Sequence, residues 1–376
     1  MMVWLMAAVP LVCLLMYGLF LMRTAWFFAR IRPREKASTP THKVSVIIPA
    51  RNESGSIGRC LRGVLQQDYP AHLLQVIVVN DHSEDDTRSI AQSIAESDSR
   101  LLVLDLPSQQ GTAYKKAAVT FGIAHATGDI ILTTDADCSA GPGWVSAMAA
   151  HFDRGVGMVS GPVMLTGPSL FAKLQTLEFM GLIAVGGGSI AAGTPNMCNG
   201  ANLAYRKDLF EALGGFKGVD GIASGDDEFL LHRMAKSGKG SIAFAKCKDA
   251  IVSTPAQSGL RSFITQRRRW VSKSTHYERK SITWVLVAAY LAMLTFPLLT
   301  GLAIWAEPAC WWALIAAFGF KTIAEMSVLV PAAHFFGVKR LLPLVLPEQL
   351  LHVPYLLFIG IAGNVGDVAW KGRKVK

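Results

Sequence analysis

Two aspartates separated by one small residue, Asp135-Ala136-Asp137, close the apolar run Ile130-Ile131-Leu132-Thr133-Thr134. Carboxylates so spaced at a strand end can both reach one hard divalent cation, Mg2+ or Mn2+, which takes oxygen ligands and commonly bridges carboxylate and phosphate. Further along, Ser224-Gly225-Asp226-Asp227-Glu228 offers a carboxylate for proton abstraction, with Asp227 the candidate base. A third cluster, Gln266-Arg267-Arg268-Arg269-Trp270, stands just before the chain turns continuously apolar. Gln266 and Arg269 suit a diphosphate, and Trp270 suits stacking on an acceptor. Each cluster also has a plainer reading. The first would be solvated loop acids or a helix N-cap, the second an acidic helix N-terminus, the third a lipid-surface anchor. Their occurrence together and in this order favours the chemical readings.

The elements that must hold these residues are legible in the patterning. Val44-Ser45-Val46-Ile47-Ile48-Pro49 is a buried-strand pattern, followed by the loop Ala50-Arg51-Asn52-Glu53 and a helix over 56–67. Leu74–Val79 is a second such run, ending in Asn80-Asp81; a helix over 87–96, a strand near 101–104, a helix near 115–125 and a strand over 129–134 follow. Strands alternating with helices predict a mostly parallel, doubly wound sheet, whose ligands sit beyond the carboxyl ends of its strands. Asp81 and Asp135/Asp137 fall there. The Gly-rich stretch 155–200, with Gly186-Gly187-Gly188, lacks the context of a dinucleotide fingerprint and is expected to form a flexible bend or a loop.

Composition adds a membrane. The 376 residues are 51% hydrophobic and 17% charged, with mean hydropathy +0.34, below the roughly 25% charge of a soluble domain. Residues 2–22 are apolar and followed by Arg23, Arg30, Arg32 and Arg34, the reverse of a cleavable signal, so an uncleaved anchor is expected with its N-terminus outside. Three further apolar spans, 282–304, 309–333 and 341–363, each approach the roughly 20 residues of a crossing. Lys321 and Glu325 could pair at i,i+4 within the second, either as a functional pair at membrane depth or as an interface contact. Pro343, Pro347, Glu348, His352 and Pro354 make the third awkward, and a re-entrant or interfacial course is expected for it. The net charge of +10 tracks membrane edges, which argues for lipid headgroups and against nucleic acid. The six scattered cysteines offer neither a zinc site nor a disulfide framework. In 258–281 the apolar residues Leu260, Phe263, Ile264 and Trp270 recur near helical spacing. Arg261, Arg267, Arg268, Lys273, Arg279 and Lys280 would supply the opposite, basic face.

From Val44–Glu53 to Gln266–Trp270 the chain resembles the membrane-bound family 2 glycosyltransferases, which have the GT-A fold. The resemblance implies a Rossmann-like, mostly parallel α/β domain in the cytoplasm with α-helical transmembrane segments on both sides. It places Pro49, Glu53 and Asp81 at the nucleoside. Asp81 lies in Asn80-Asp81-His82-Ser83-Glu84-Asp85, where the family has Asp-Asp-Gly-Ser-x-Asp. It places Lys115, or in its stead Lys116, at the donor phosphates, Asp135 with the donor, Asp135 and Asp137 on the metal, and Asp227 as base, preceded by Asp226 where the family has Glu. Asn199-Gly200-Ala201-Asn202 resembles the acceptor-side loop before a helix.

The organisation expected is an anchor (1–24), a linker (25–42), a GT-A domain (43–257), an interfacial segment (258–281), a C-terminal membrane region of two or three helices (282–363) and a basic tail (364–376). The function expected is inverting transfer from a nucleotide-sugar, UDP- ahead of GDP-, to a lipid or membrane-associated glycan. It would use Mg2+ or Mn2+ at the cytoplasmic face of a bacterial plasma (inner) membrane. Processive polysaccharide synthesis, which four hydrophobic segments supply poorly, and a non-catalytic nucleotide-sugar sensor or scaffold are the alternatives. Paired inverted apolar repeats, the mark of a transporter, are not seen. Oligomeric state is not legible.

Overall fold

The computed structural model describes residues 2–34, 41–107, 114–152, 155–219, 222, 225–273 and 280–365, and the backbone of 369–370 and 373–374. In chain order the elements begin with α1 (Met2–Arg30), β1 (Val44–Ala50), α2 (Ile57–Leu65), β2 (Leu74–Asn80), α3 (Thr87–Ala95), β3 (Leu101–Asp105), α4 (Tyr114–Ala124) and β4 (Ile130–Thr133). Then come β5 (Ser139–Ala140), α5 (Trp144–Ala149), β6 (Val156–Ser160), β7 (Val163–Thr166), α6 (Leu170–Ala191), β8 (Leu203–Arg206), α7 (Lys207–Ala212), α8 (Asp226–Ser237), β9 (Ser241–Phe244) and β10 (Val252–Pro255). The chain closes with α9 (Leu260–Ser272), α10 (Lys280–Trp305), α11 (Cys310–Phe336), α12 (Val345–Ala362) and a short hairpin of β11 (Ala369–Trp370) and β12 (Arg373–Lys374). Its contacts fall into two compact units. The α/β unit comprises Ile31–Pro168, Ser189–Ala256 and Asp367–Lys376, and the helical unit Met1–Arg30, Ser169–Gly188 and Gln257–Gly366.

The α/β unit is built on a seven-stranded sheet in the order β3-β2-β1-β4-β8-β6-β9, parallel except for β8. Val46, Ile47, Ile48, Ile77 and Val78 are fully buried, as strands covered on both faces require. Val44–Ala50 pairs residue for residue with Leu74–Asn80, and Val44–Ile47 with Ile130–Thr133. The register therefore delivers the loops after β1, β2 and β4 to one edge. A smaller sheet, β5-β10-β7, holds the chain just beyond Asp137. Asn199–Asn202 runs into strand β8 and not, as the resemblance implied, directly into a helix. Asn202 is fully buried: its Nδ2 donates to the carbonyls of Pro162 (2.8 Å) and Ala250 (2.7 Å), and its Oδ1 accepts from Trp144 Nε1 (2.9 Å).

In the helical unit, Leu14 of α1, Met293 and Phe296 of α10, Leu314 of α11 and Val353 of α12 share one apolar core. Large apolar side chains also face outward from these helices, among them Val9, Leu19, Trp284, Trp312, Ile315 and Leu350. Outward faces of this kind are the mark of a lipid-facing bundle. Among the described residues, five stretches are long and apolar enough to cross a membrane: Met6–Arg30, Leu170–Ala191, Lys280–Trp305, Cys310–Phe336 and Lys339–Ala362.

The structure departs from expectation at the glycines and at the end of the first helix, and gives the third span its elements. Gly186-Gly187-Gly188 is neither bend nor loop but the last turns of α6. A Cβ on Gly188 would sit 2.8 Å from the carbonyl carbon of Thr24, so the missing side chain is what lets α1 and α6 touch backbone to backbone. The first helix continues to Arg30, past the expected end of the anchor, and residues 35–40 of the remaining linker lie outside the described residues. The awkward third span resolves into a 3-10 turn over Lys339–Leu344 holding Pro343, then α12. Pro347 lies in the first turn of α12, where a missing N–H leaves no bond unmade.

Candidate active site

The loops after β1 and β2 are zipped together. Asn52 N donates to Ser83 Oγ (3.1 Å), Glu84 N to Asn52 Oδ1 (2.9 Å), Glu53 N to Thr87 Oγ1 (2.7 Å) and Ser54 N to Asp85 Oδ2 (3.0 Å). Arg51 clamps the pair by donating to the carbonyls of Asp81 (2.9 Å) and His82 (2.7 Å). Both tips adopt left-handed backbone, with φ 48° at Asn52 and 53° at His82. His82 stands where the family pattern has Gly, and histidine is among the residues that tolerate this conformation. The other departure, Asn80, bridges strands: its Nδ2 donates to Asp105 Oδ1 (2.9 Å) while its Oδ1 accepts from Ser83 N (3.2 Å). Pro49 lies on β1 opposite Val79, Glu53 Oε2 accepts from Ser56 Oγ (2.7 Å), and buried Asp81 meets His82 Nδ1 at 3.0 Å.

At the end of β4 the structure gathers residues far apart in sequence. Lys115 Nζ donates to Asp135 Oδ1 (2.7 Å) and lies 3.6 Å from Asp226 Oδ2. Burial opposes its charge, but Asp135 and Asp226 outweigh burial and hold the ammonium well above the ordinary lysine range. Lys116 turns the other way: it is buried, and its Nζ donates to the carbonyls of Val219 (3.0 Å) and Ile222. Of the two lysines, Lys115 is therefore the one among the carboxylates. Gly225, at φ 83°, makes the left-handed turn that starts α8, so Asp226, Asp227 and Glu228 occupy its first turn. Asp227 Oδ2 accepts from Gly200 N (3.0 Å) and Oδ1 from Glu228 N (2.8 Å). These two backbone donors orient the Asp227 carboxylate.

Asp135, Asp137 and Cys138 bring ligand atoms within 4.8 Å of one another. Burial, then the Asp135 and Asp137 charges, push the Cys138 thiol well above its usual range, so it stays protonated. That leaves two carboxylates, an oxygen set that fits a hard Mg2+ or Mn2+ with further positions open to phosphate and water. Burial, then the charges of Asp135 and Glu53, raise the Asp137 carboxyl from 3.8 to about 6. Two consequences follow in sign. Metal-free protein has the stability linked to Asp137 in full below 3.8 and loses it as pH rises through about 6. Mn2+ needs the deprotonated carboxylate, so below about 6 its affinity should fall by about tenfold per pH unit and level off above. Calorimetric Mn2+ titrations across that range check this; a flat profile would rule out Asp137 as the coupled group.

Gln266, Arg269 and Trp270 belong to the helical unit, on α9. Arg267, expected on an exposed basic face, is instead 3% exposed. Its Nη2 and Nε meet Glu178 of α6 at 2.6 and 3.3 Å, its Nη1 donates to Gln266 Oε1 (2.7 Å), and its guanidinium lies 4.2 Å from the Trp270 ring centroid. Lys273 is buried too, and Arg279 lies outside the described residues. The expectation failed because it had no partner for Arg267. Glu178 is the single acid of an apolar helix, a signal that could have been read.

The i,i+4 pair of α11 does form and is buried. Lys321 Nζ lies 2.8 Å from Glu325 Oε1 and donates to Gln349 Oε1 (2.6 Å), with His352 Nδ1 at 3.1 Å; Tyr17 OH donates to Glu325 Oε1 (2.8 Å). His352, which made the third span awkward, and Gln349 are thus partners of this pair.

A mostly parallel α/β domain thus brings one lysine among the carboxylates of an Asp-x-Asp pair and of a helix N-terminus. The model of "Glycosyl transferase family group 2" matches residues 130–338 and that of "Glycosyl transferase family 2" residues 45–214. The chain belongs to glycosyltransferase family 2. It is 31% identical over 224 residues to "Glycosyltransferase AglE" of Haloferax volcanii, a match that takes in 57% of this chain and 67% of that one. It is 27% identical over 180 residues to an "Undecaprenyl-phosphate 4-deoxy-4-formamido-L-arabinose transferase" of Klebsiella pneumoniae, where the match takes in 46% of this chain and spans about half (52%) of that relative. A solved mannosyltransferase from Pyrobaculum calidifontis, in complex with GDP-Man and Mn2+, superposes with a TM-score of 0.56 at 20% identity, over 95% of this chain and 97% of that one. That likeness shows a shared GT-A fold.

Proposed function

We propose that the protein is an inverting glycosyltransferase that moves one sugar from a UDP- or GDP-sugar to a lipid-linked acceptor at the cytoplasmic face of a membrane. The observation that carries this reading is the Lys115 bridge, which joins the Asp-x-Asp end of β4 to the Asp226-Asp227 start of α8. Pro49, Glu53 and Asp81 are assigned to the nucleoside, Lys115 and Asp135 to the donor phosphates, Gln266 and Arg269 to the diphosphate, and Trp270 to the acceptor. The undecaprenyl-phosphate transferase among the relatives supports a lipid acceptor, and the five apolar helices support residence in a membrane.

In this reading Asp227 takes the proton of the acceptor hydroxyl while that oxygen attacks the anomeric carbon. The bond from that carbon to the diphosphate oxygen breaks on the opposite side, configuration inverts, and the nucleoside diphosphate departs. Gly200 N–H and Glu228 N–H keep Asp227 from rotating out of line. Lys115 supplies fixed positive charge where the diphosphate gains negative charge. A Mg2+ or Mn2+ ion on Asp135 and Asp137 would add positive charge against the same leaving group.

The test is transfer by detergent-purified protein with a panel of labelled UDP- and GDP-sugars, Mn2+ and a native lipid extract. A labelled lipid formed from one donor supports the reading and names the sugar. Turnover with no donor, alongside intact nucleotide binding, would contradict it.

A further inference from the structure

Helix α9 is held from three sides within the helical unit. Its apolar face packs through Phe263 against Phe171 of α6 and Tyr355 of α12, with ring centroids 5.4 and 5.5 Å apart. Arg268 reaches the C-terminal end of α12, donating to the carbonyls of Ala362 (2.8 Å) and Val365 (2.7 Å), where orphan carbonyls and the helix dipole favour a cation. The third hold is the Glu178–Arg267 pair. Tyr355 OH also donates to Glu178 Oε1 (2.7 Å), so residues of α6, α9 and α12 meet at one carboxylate.

Stability alone is a poor reason for this pair. A buried ion pair seldom outperforms well-packed apolar residues of the same volume. What the pair does is fix a plane. Two of the guanidinium nitrogens are taken by Glu178, which leaves the fork a single orientation. In that orientation the guanidinium carbon lies 4.5 Å from the Phe263 ring centroid and 4.2 Å from that of Trp270, the residues four before and three after it on the helix. Phe179, next to Glu178 on α6, packs against Trp270 as well, at 5.7 Å between centroids. The remaining nitrogen, Nη1, donates to Gln266 Oε1. Because that oxygen accepts from Arg267, the amide is set with its NH2 end directed away from Arg267, so Gln266 presents donors. Donors, not acceptors, are what a phosphate oxygen requires.

We infer that Glu178, acting through Arg267 and steadied by Tyr355, is a positioning residue that sets the Gln266 amide and the Trp270 ring for an anionic phosphate-bearing substrate. The inference rests on the proposed roles of Gln266 and Trp270. The anionic group is the donor diphosphate or a phosphate of the acceptor lipid, which share this chemistry. Charge neutrality adds a second expectation. With Glu178 neutralised, Arg267 keeps its cation but loses the fork, so Gln266 and Trp270 become free to turn.

The test compares Glu178→Gln, Tyr355→Phe, Gln266→Ala and Trp270→Ala in the full chain, reconstituted in nanodiscs with native lipid extract. The donor KM and the acceptor concentration for half-maximal transfer are measured for each, on whatever fraction is active, since neither depends on enzyme amount. Gln266→Ala should raise one of the two by about 10- to 100-fold, and the parameter raised identifies donor or acceptor phosphate. Glu178→Gln should raise the same parameter in the same direction, and Tyr355→Phe should do so more weakly. Hydrogen exchange should quicken in Leu260–Ser272 ahead of α10 and α11. If Gln266→Ala moves a parameter while Glu178→Gln and Tyr355→Phe leave both at wild-type values, the pair is packing only and the inference is overturned. If Gln266→Ala and Trp270→Ala also leave transfer unchanged, the proposed acceptor and diphosphate roles fall instead. Should Glu178→Gln fail to fold, Tyr355→Phe alone decides, because it removes one hydroxyl and keeps the ring.

Discussion

Asp227→Asn should lower the rate of sugar transfer by about 10²- to 10⁴-fold, the range a positioned general base contributes. Both side-chain oxygens of Asp227 accept backbone N–H groups, from Gly200 and Glu228. Asparagine can satisfy only one of them, so a stability loss of about 1–3 kcal/mol should accompany the change. The neighbouring Asp226→Asn separates the two roles. Asp226 stands 3.6 Å from Lys115, so its loss should weaken donor binding more than it slows transfer at saturating donor. Initial rates at saturating donor and acceptor, with unfolding curves of the same preparations, check both. Equal loss of rate in the two variants would mean that the first turn of α8 acts as a unit and that Asp227 is not the distinct base.

The second large effect concerns stability. Lys321 is fully buried, and Glu325 is enclosed by it, Tyr17, Gln349 and His352. Lys321→Met removes the cation and strands the carboxylate, which should cost about 3–5 kcal/mol. The double variant Lys321→Met/Glu325→Leu removes both charges and should recover most of that loss, because an apolar pair of similar volume packs without desolvating ions. Thermal unfolding in one detergent gives the cycle. Additive losses in the double variant would show that the two side chains do not act as a pair.

Much of the donor end was legible because its signals are local. β1, β2 and β4 are short, uniformly apolar runs that end in polar loops, and parallel pairing then obliges Asp81 and Asp135 to share an edge. Lys115 and Lys116 show where local reading stops. Adjacent helical residues point about 100° apart, and only the packing of α4 decides which meets Asp135 and which meets the carbonyls of Val219 and Ile222. Helix α6 was missed because glycine reads as a loop signal, whereas here Gly188 permits close approach to Thr24. Arg267 reads as a surface cation because its partner, Glu178, is remote in sequence. His352 reads as out of place in a crossing helix until Lys321 supplies its partner across the bundle. In each case the missing information is a long-range contact that composition does not encode.

The central claim is that the carboxylates beyond β4, with Lys115, form a metal-assisted nucleotide-sugar site. Its most direct test is equilibrium titration of UDP- and GDP-sugars into the wild-type protein and the Asp135→Asn/Asp137→Asn variant, each with and without Mn2+. Tighter binding of one nucleotide class in the presence of Mn2+, seen in the wild type and lost in the variant, is the predicted result. Nucleotide affinity that is the same in all four titrations would contradict the account.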